Sequence, residues 1–190
     1  MAMFMLFCTA HISGKLIGDL LHQSQQTIAG HNCWSLVRNP NQHELETPTH
    51  VPVSNFQTGF EGASIDALGT WMTDRCSRMP EGWNPIEDRT FGVLDQRSAR
   101  DETMLVVRWF TTWPQECIER CDPDPERKIE GWKTLRVKFG EASHAAIQLD
   151  EDPSLLFEEM SGVEYYEGDV YRVPYVQKLD QKDIEALPAP

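Results

Sequence analysis

The stretch TFGVLDQRSARDETMLVVRW, Thr90–Trp109, carries two apolar runs on either side of eight polar residues. Thr90–Leu94 and Thr103–Phe110 are rich in the β-branched and aromatic residues that favour strands. Met104–Val107 are consecutive and apolar, which is typical of a strand buried on both faces. We therefore predict two strands of one sheet, joined by an exposed polar connection, Asp95–Glu102.

Helices and strands are interspersed on both sides of this stretch. Ser13 and Ser64 precede apolar residues at helical spacing, and each can cap a first helical turn. The predicted helices run to about Ala29, just before Gly30, and to about Arg78. The other predicted elements are a strand or core-docking segment at Met1–Ala10, strands at Cys33–Val37 and Trp132–Phe139, a short helix at Pro153–Met160 and a strand-like segment at Val163–Val176.

This order predicts an α/β or α+β fold, with a central mixed sheet flanked by a few helices. The chain of 190 residues is long enough for one domain with a real core, so 1–190 is predicted to be a single domain. Residues 40–60 and 111–131 are predicted to be long irregular connections, Met79–Asp88 a loop, and 179–190 a C-terminal tail.

The chain is strongly acidic, with a net charge of -13. Residues 141–190 hold 12 acidic and 3 basic side chains, so the acidity is concentrated there. Such a surface repels phosphate, which argues against nucleic acid and anionic membranes as partners. No apolar run reaches the 18 or so residues of a membrane span. We expect a small-molecule or protein partner that is cationic or apolar.

The five cysteines are odd in number and scattered, which predicts reduced thiols in a cytoplasmic protein. Cys117 and Cys121 could share a helix face as metal ligands do. A zinc site would then need distant partners such as His31, His43 or His50, so we expect no metal. The phosphate-loop, GxGxxG, GxSxG and HExxH patterns are absent, and no cofactor is predicted.

Three residues are candidates for chemistry. Asp95 follows an apolar strand, and Arg136 lies between Leu135 and Val137, so each needs a partner for its charge. We predict that they pair, either as a structural ion pair or as part of a ligand pocket. His144 follows the strand Trp132–Phe139 and could act as a general acid or base, although a surface or capping role is the simpler interpretation.

Aromatic residues are numerous for a minimal core. Most of them are expected to pack in the interior, and some could line a pocket suited to a cationic or apolar ligand. They are Trp34, Trp71, Trp83, Trp109, Trp113, Trp132, Tyr165, Tyr166, Tyr171 and Tyr175.

The segments TFGVLD, ETMLVVRW, WKTLRVKF and DPSLLFEEM occur in this order over about residues 88–160. In this the chain resembles a little-characterised family of small α/β domains of unknown function. The resemblance implies a sheet of this strand order and carries no activity or site residues.

Two functions of different class follow from these observations. The first is a non-catalytic binding or interaction domain with an acidic, aromatic-rich surface or pocket. The alternative is a cofactor-independent enzyme, such as a cyclase, isomerase or lyase, that acts on a hydrophobic small molecule through carboxylate, His and Tyr side chains. A metal-binding protein is a weaker third. A closed aromatic pocket with an ionisable residue at its base would favour the enzyme.

Overall fold

A computed structural model describes residues 2–26, 31–79, 86–112, 126, 128–151, 166–167 and 169–171. The strands are β1 (Met3–Cys8), β2 (Trp34–Val37), β3 (Ile86–Leu94), β4 (Thr103–Thr112), β5 (Ile129–Lys138), β6 (Tyr166–Glu167) and β7 (Val170–Tyr171). The helices are α1 (Gly14–Gln25), α2 (Ile65–Ser77), α3 (Ser98–Asp101) and α4 (Ala142–Glu151), with a 3-10 turn at Phe139–Glu141 before α4.

The strands form one seven-stranded sheet in the order β2-β1-β3-β4-β5-β7-β6. β1 pairs in parallel with β2 and β3, while β3, β4 and β5 pair antiparallel. The parallel pairs need long crossovers, and α1 and α2 lie within these connections. The predicted fold class, a mixed central sheet flanked by a few helices, is confirmed.

The two predicted strands of the opening stretch are neighbours in this sheet. Phe91 lies opposite Val107 and Gly92 opposite Val106, so the prediction of an antiparallel pair is confirmed. Gly92 has to be small, because a Cβ there would lie 2.7 Å from Cζ3 of Trp34. β3 begins earlier than predicted, at Ile86, because that residue pairs with Met3 and is buried.

Both faces of β1 are covered, which explains its unbroken apolar sequence. Phe4, Leu6 and Cys8 pack in a core with residues of α1 and α4. Met3, Met5 and Phe7 belong to a second core with residues of α2. The predicted strand or core-docking segment at Met1–Ala10 is therefore a central strand.

The predicted starts of α1 and α2 are confirmed. Ser13 Oγ accepts a hydrogen bond from the Leu16 amide and Ser64 Oγ accepts one from the Ala67 amide, both at 3.2 Å. α1 ends at Gln25, short of the predicted Ala29. Its last turn is closed by the amide of Gln26, which donates to the carbonyl of Gln23 at 3.1 Å.

Helix α4 was not predicted. Its buried residues, Ala142, Ala145, Ala146 and Leu149, recur at helical spacing and pack against the first core. They are mostly alanines, so their hydrophobic signal in the sequence is weak.

The predicted irregular connections differ in outcome. Residues 38–64 contain no helix or strand. The prediction for 111–131 is wrong at both ends, because Thr111 pairs with Glu130 and Thr112 with Ile129 in the β4–β5 ladder. The predicted helix Pro153–Met160, the tail 179–190 and most of Val163–Val176 lie outside the described residues.

Candidate functional site

Asp95 and Arg136 form the predicted pair. Arg136 donates from Nη1 to Asp95 Oδ1 at 3.3 Å and from Nη2 to Asp95 Oδ2. Its Nη1 also donates to Thr103 Oγ1 at 3.1 Å. The geometry follows from the sheet, since Asp95 ends β3 while Arg136 lies opposite Leu105 on β5. The prediction that the two side chains lie within hydrogen-bond reach is confirmed.

Asp95 also organises the turn that follows β3. Its Oδ1 accepts hydrogen bonds from the amide and the hydroxyl of Ser98, and its own amide donates to Ser98 Oγ, all at 3.0 Å. This reciprocal arrangement is a capping box. Burial alone would raise the pKa of Asp95, but the hydrogen bonds from Arg136 and Ser98 outweigh it and lower the pKa. A carboxylate held ionised in this way is a poor proton donor and a weak base.

The pair belongs to a longer polar network at this end of the sheet. Thr103 Oγ1 donates to Asp101 Oδ1, and Arg97 Nε donates to Asp101 Oδ2, both at 2.6 Å. Arg97 also makes a bidentate pair with Asp169, in the β6–β7 turn. The network, which comprises Asp95, Arg97, Asp101, Thr103, Arg136 and Asp169, links three parts of the fold and serves structure.

His144 is not near this pair. It lies on α4, which packs against the core face that contains Leu135 and Val137, whereas Arg136 points to the opposite face. His144 is half-buried, and burial lowers its pKa. The three sequence candidates therefore do not form one site.

A second polar cluster lies beneath α4. Arg108 is only 6% exposed and donates to Thr90 Oγ1 and Asp150 Oδ1, both at 2.7 Å. Its Nε has no hydrogen-bond partner in the part of the chain that the structure describes. Burial, followed by repulsion from Asp150 and Asp88, raises the pKa of Glu87. This cluster fixes α4 to the sheet.

The feature that looks most like a binding site is an open groove of about 580 Å³ between α2 and the sheet. It lies on the same face as Arg136, since Trp132 is four residues earlier on β5, a distance of about 13 Å along the strand. The residues that line this Trp groove are Gly69, Thr70, Thr73, Asp74 and Ser77 of α2, Asp88 and Arg89 of β3, Trp109 of β4 and Trp132 of β5.

Two indole rings form the sheet side of the Trp groove. Trp109 and Trp132 are paired across β4 and β5, and their rings meet edge to face with centroids 5.1 Å apart. Trp132 also contacts Phe91 of the second core, again at 5.1 Å. On the helix side, Gly69 lies so close that a Cβ there would overlap the Trp132 ring. Gly69 thus sets how deeply α2 seats against the indole.

The groove also contains acidic side chains. Asp74 pairs with Arg78 at 2.7 Å, and Asp88 lies 4.0 Å from Arg89. All four of these side chains are more than half exposed, so both pairs are weak and accessible to solvent.

Sequence reasoning named Trp109 and Trp132 but missed their partners on α2. The signal was present as small or polar residues at Gly69, Thr73 and Ser77, four apart along one helix face. A helix face of this kind can approach another element closely.

The other tryptophans in the described residues belong to the cores. Trp34 is fully buried, and its Nε1 donates to Ser143 Oγ at 3.1 Å. Trp71 packs against Phe7 and Phe60. Trp83, Trp113, Tyr165 and Tyr175 lie outside the described residues, as do the side chains of Tyr166 and Tyr171.

Cys8, Cys33 and Cys76 are free thiols, and burial raises their pKa values to about 12, 11 and 11. Cys117 and Cys121 lie outside the described residues. Across the described ranges, no group of three His, Cys, Asp or Glu side chains is placed to hold a metal ion. Within the same ranges, no helix has the length and apolar character needed to cross a bilayer.

Comparisons with family models, with curated proteins and with solved structures found no significant match. The resemblance over residues 88–160 remains an expectation, and the function has to be argued from the groove itself.

Proposed function

We propose that this protein is a non-catalytic binding domain, and that the Trp groove receives a small ligand with an apolar or cationic body. The observation that carries the proposal is the pair of partly exposed indoles, Trp109 and Trp132, on one wall of a cavity of about 580 Å³. That volume lies in the usual range for small-molecule sites, and aromatic linings are typical of them. In this proposal the protein is cytoplasmic, which agrees with its odd number of scattered cysteines.

The enzyme alternative has less support. Catalysis by acid and base needs an available carboxylate or histidine within reach of the substrate. Asp95 is held ionised by Arg136 and Ser98, and His144 lies beneath the opposite face of the sheet. The groove is open to solvent, whereas a cofactor-independent enzyme on this plan would need a closed pocket.

The proposal is tested by screening a set of small aromatic and aliphatic compounds, neutral and charged, against the ¹⁵N-labelled protein by NMR. We expect binders to shift the indole N–H resonances of Trp109 and Trp132. The resonance of Trp34 serves as an internal control, because that ring is fully buried and its N–H is engaged by Ser143.

Two variants separate groove binding from general adhesion. Trp109→Leu should abolish binding, whereas Val51→Ala, which removes exposed apolar surface elsewhere, should leave binding unchanged. A screen in which no compound perturbs Trp109 or Trp132 would contradict the proposal. Conversion of a bound compound into a product would show that the protein is catalytic.

A further inference from the structure

The structure also indicates which ligands the Trp groove favours. We propose that it selects flat organic cations, such as arylamidinium or guanidinium groups, over neutral molecules of the same shape. This inference rests on the binding function proposed above and adds to it a requirement for positive charge.

The aromatic wall suits such a ligand. The rings of Trp109 and Trp132 meet at an interplanar angle of 72°, so together they form a corner rather than a stack. A flat group can lie against one ring while its edge meets the other. The face of an indole attracts cations, and tryptophan is the most favourable aromatic residue for this interaction.

Two carboxylates flank this corner from different elements. Asp74 lies on α2 and Asp88 on β3, while Arg89 is the single cationic side chain among the lining residues that the structure describes. The lining side chains therefore carry one negative charge in excess. The acidic surface of the whole chain, with its net charge of -13, adds to the attraction.

Neither carboxylate is firmly committed to a protein partner. Asp74 and Arg78 are 52% and 72% exposed, and Asp88 and Arg89 are 58% and 67% exposed. Ion pairs this exposed contribute little to stability. A bound cation can therefore replace Arg78 or Arg89 at small cost. Asp95 is a contrast, because its oxygens are taken by Arg136 and Ser98.

The test uses benzamidinium and benzamide, which share size and shape but differ in charge. By isothermal titration calorimetry at low salt, we expect benzamidinium to bind about ten times more tightly than benzamide. The ratio should fall toward one in about 0.5 M NaCl, because the carboxylates are exposed to screening ions.

Three variants locate the source of the charge preference. Asp88→Asn and Asp74→Asn should each reduce the preference for benzamidinium by several-fold while leaving benzamide binding unchanged. Asp66→Asn is the matched control, since it removes the same charge from an exposed position on the same helix that does not line the groove. The Asp66 variant should keep the wild-type ratio.

The outcomes distinguish this inference from the broader proposal. Equal affinities for the two compounds, with shifts at Trp109 and Trp132, would overturn the charge requirement and leave the binding function standing. A charge preference that survives both Asp88→Asn and Asp74→Asn would also overturn it. If neither compound binds and the wider screen finds no ligand at the groove, both proposals fail.

Discussion

Asp95 stabilises the fold in two ways that use the same carboxylate. It caps the turn through Ser98, and it neutralises Arg136, whose side chain is 10% exposed. Loss of the carboxylate would leave a guanidinium that is largely buried without its main counter-charge. The cost of such a loss is larger than the net value of the pair itself.

We expect Asp95→Ala to lower the free energy of unfolding by about 2–3 kcal/mol, somewhat below the usual figure for a fully buried pair because Asp95 is 28% exposed. Urea denaturation measures this. The matched control is Arg78→Ala, which breaks the exposed pair with Asp74 and should cost less than about 1 kcal/mol. Equal effects from the two variants would show that the Asp95 pair is not a structural anchor.

At the scale of elements, α2 has two working faces. Leu68 and Met72 are buried in the second core, whereas Gly69 and Thr73 face the Trp groove. The helix is therefore placed by apolar burial on one side and by close contact with Trp132 on the other. Gly69 permits that contact at the cost of a poor helix former in mid-helix.

Two glycine substitutions should have opposite signs. Gly69→Ala should destabilise the protein by about 1–2 kcal/mol, since overlap with Trp132 outweighs the gain in helix propensity. Gly18→Ala on α1 should stabilise it by about 0.5–1 kcal/mol, because the new methyl group meets its nearest neighbour, Val51 Cγ1, at 3.9 Å. Thermal and urea unfolding of both variants check the signs. Stabilisation by both would mean that α2 does not press on Trp132.

For the whole molecule, the polar network ties the β3–β4 connection to β5 and to the β6–β7 turn. The carboxylates of Asp95, Asp101 and Asp169 all have lowered pKa values, that of Asp169 to about 2. For Asp95 and Asp101, hydrogen bonds to Arg136 and Thr103 help to outweigh the opposing effect of burial. For Asp169, the bonds from Arg97 are the main cause.

This arrangement predicts acid sensitivity with a defined sign. A carboxyl whose pKa is lower in the folded state stabilises the fold above its unfolded pKa, near 4, and loses that contribution as the pH falls toward the folded value. Urea midpoints should therefore drop between about pH 4 and pH 2. Asp95→Asn should flatten the decline, whereas Asp66→Asn, at an exposed position, should not. An unchanged pH profile for Asp95→Asn would contradict this assignment.

Much of the fold could be predicted because its signals are local. Ser13 and Ser64 mark helix starts through their own hydroxyls, and the runs at Thr90–Leu94 and Thr103–Phe110 have strand composition over several residues. The pairing of Asp95 with Arg136 could also be predicted, because a charge beside apolar strand residues needs a partner. Helix α4 escaped prediction because alanine gives little hydrophobic contrast.

The Trp groove, by contrast, is determined by tertiary structure. Gly69 and Trp132 are 63 positions apart in the sequence, and only the seating of α2 on the sheet brings them into contact. The register of β4 with β5 places Trp109 beside Trp132, and the same packing places Asp74 across from Asp88. The sequence determined which elements form, since propensity and capping act over a few residues. The groove depends on long-range packing and strand register, which no short segment encodes.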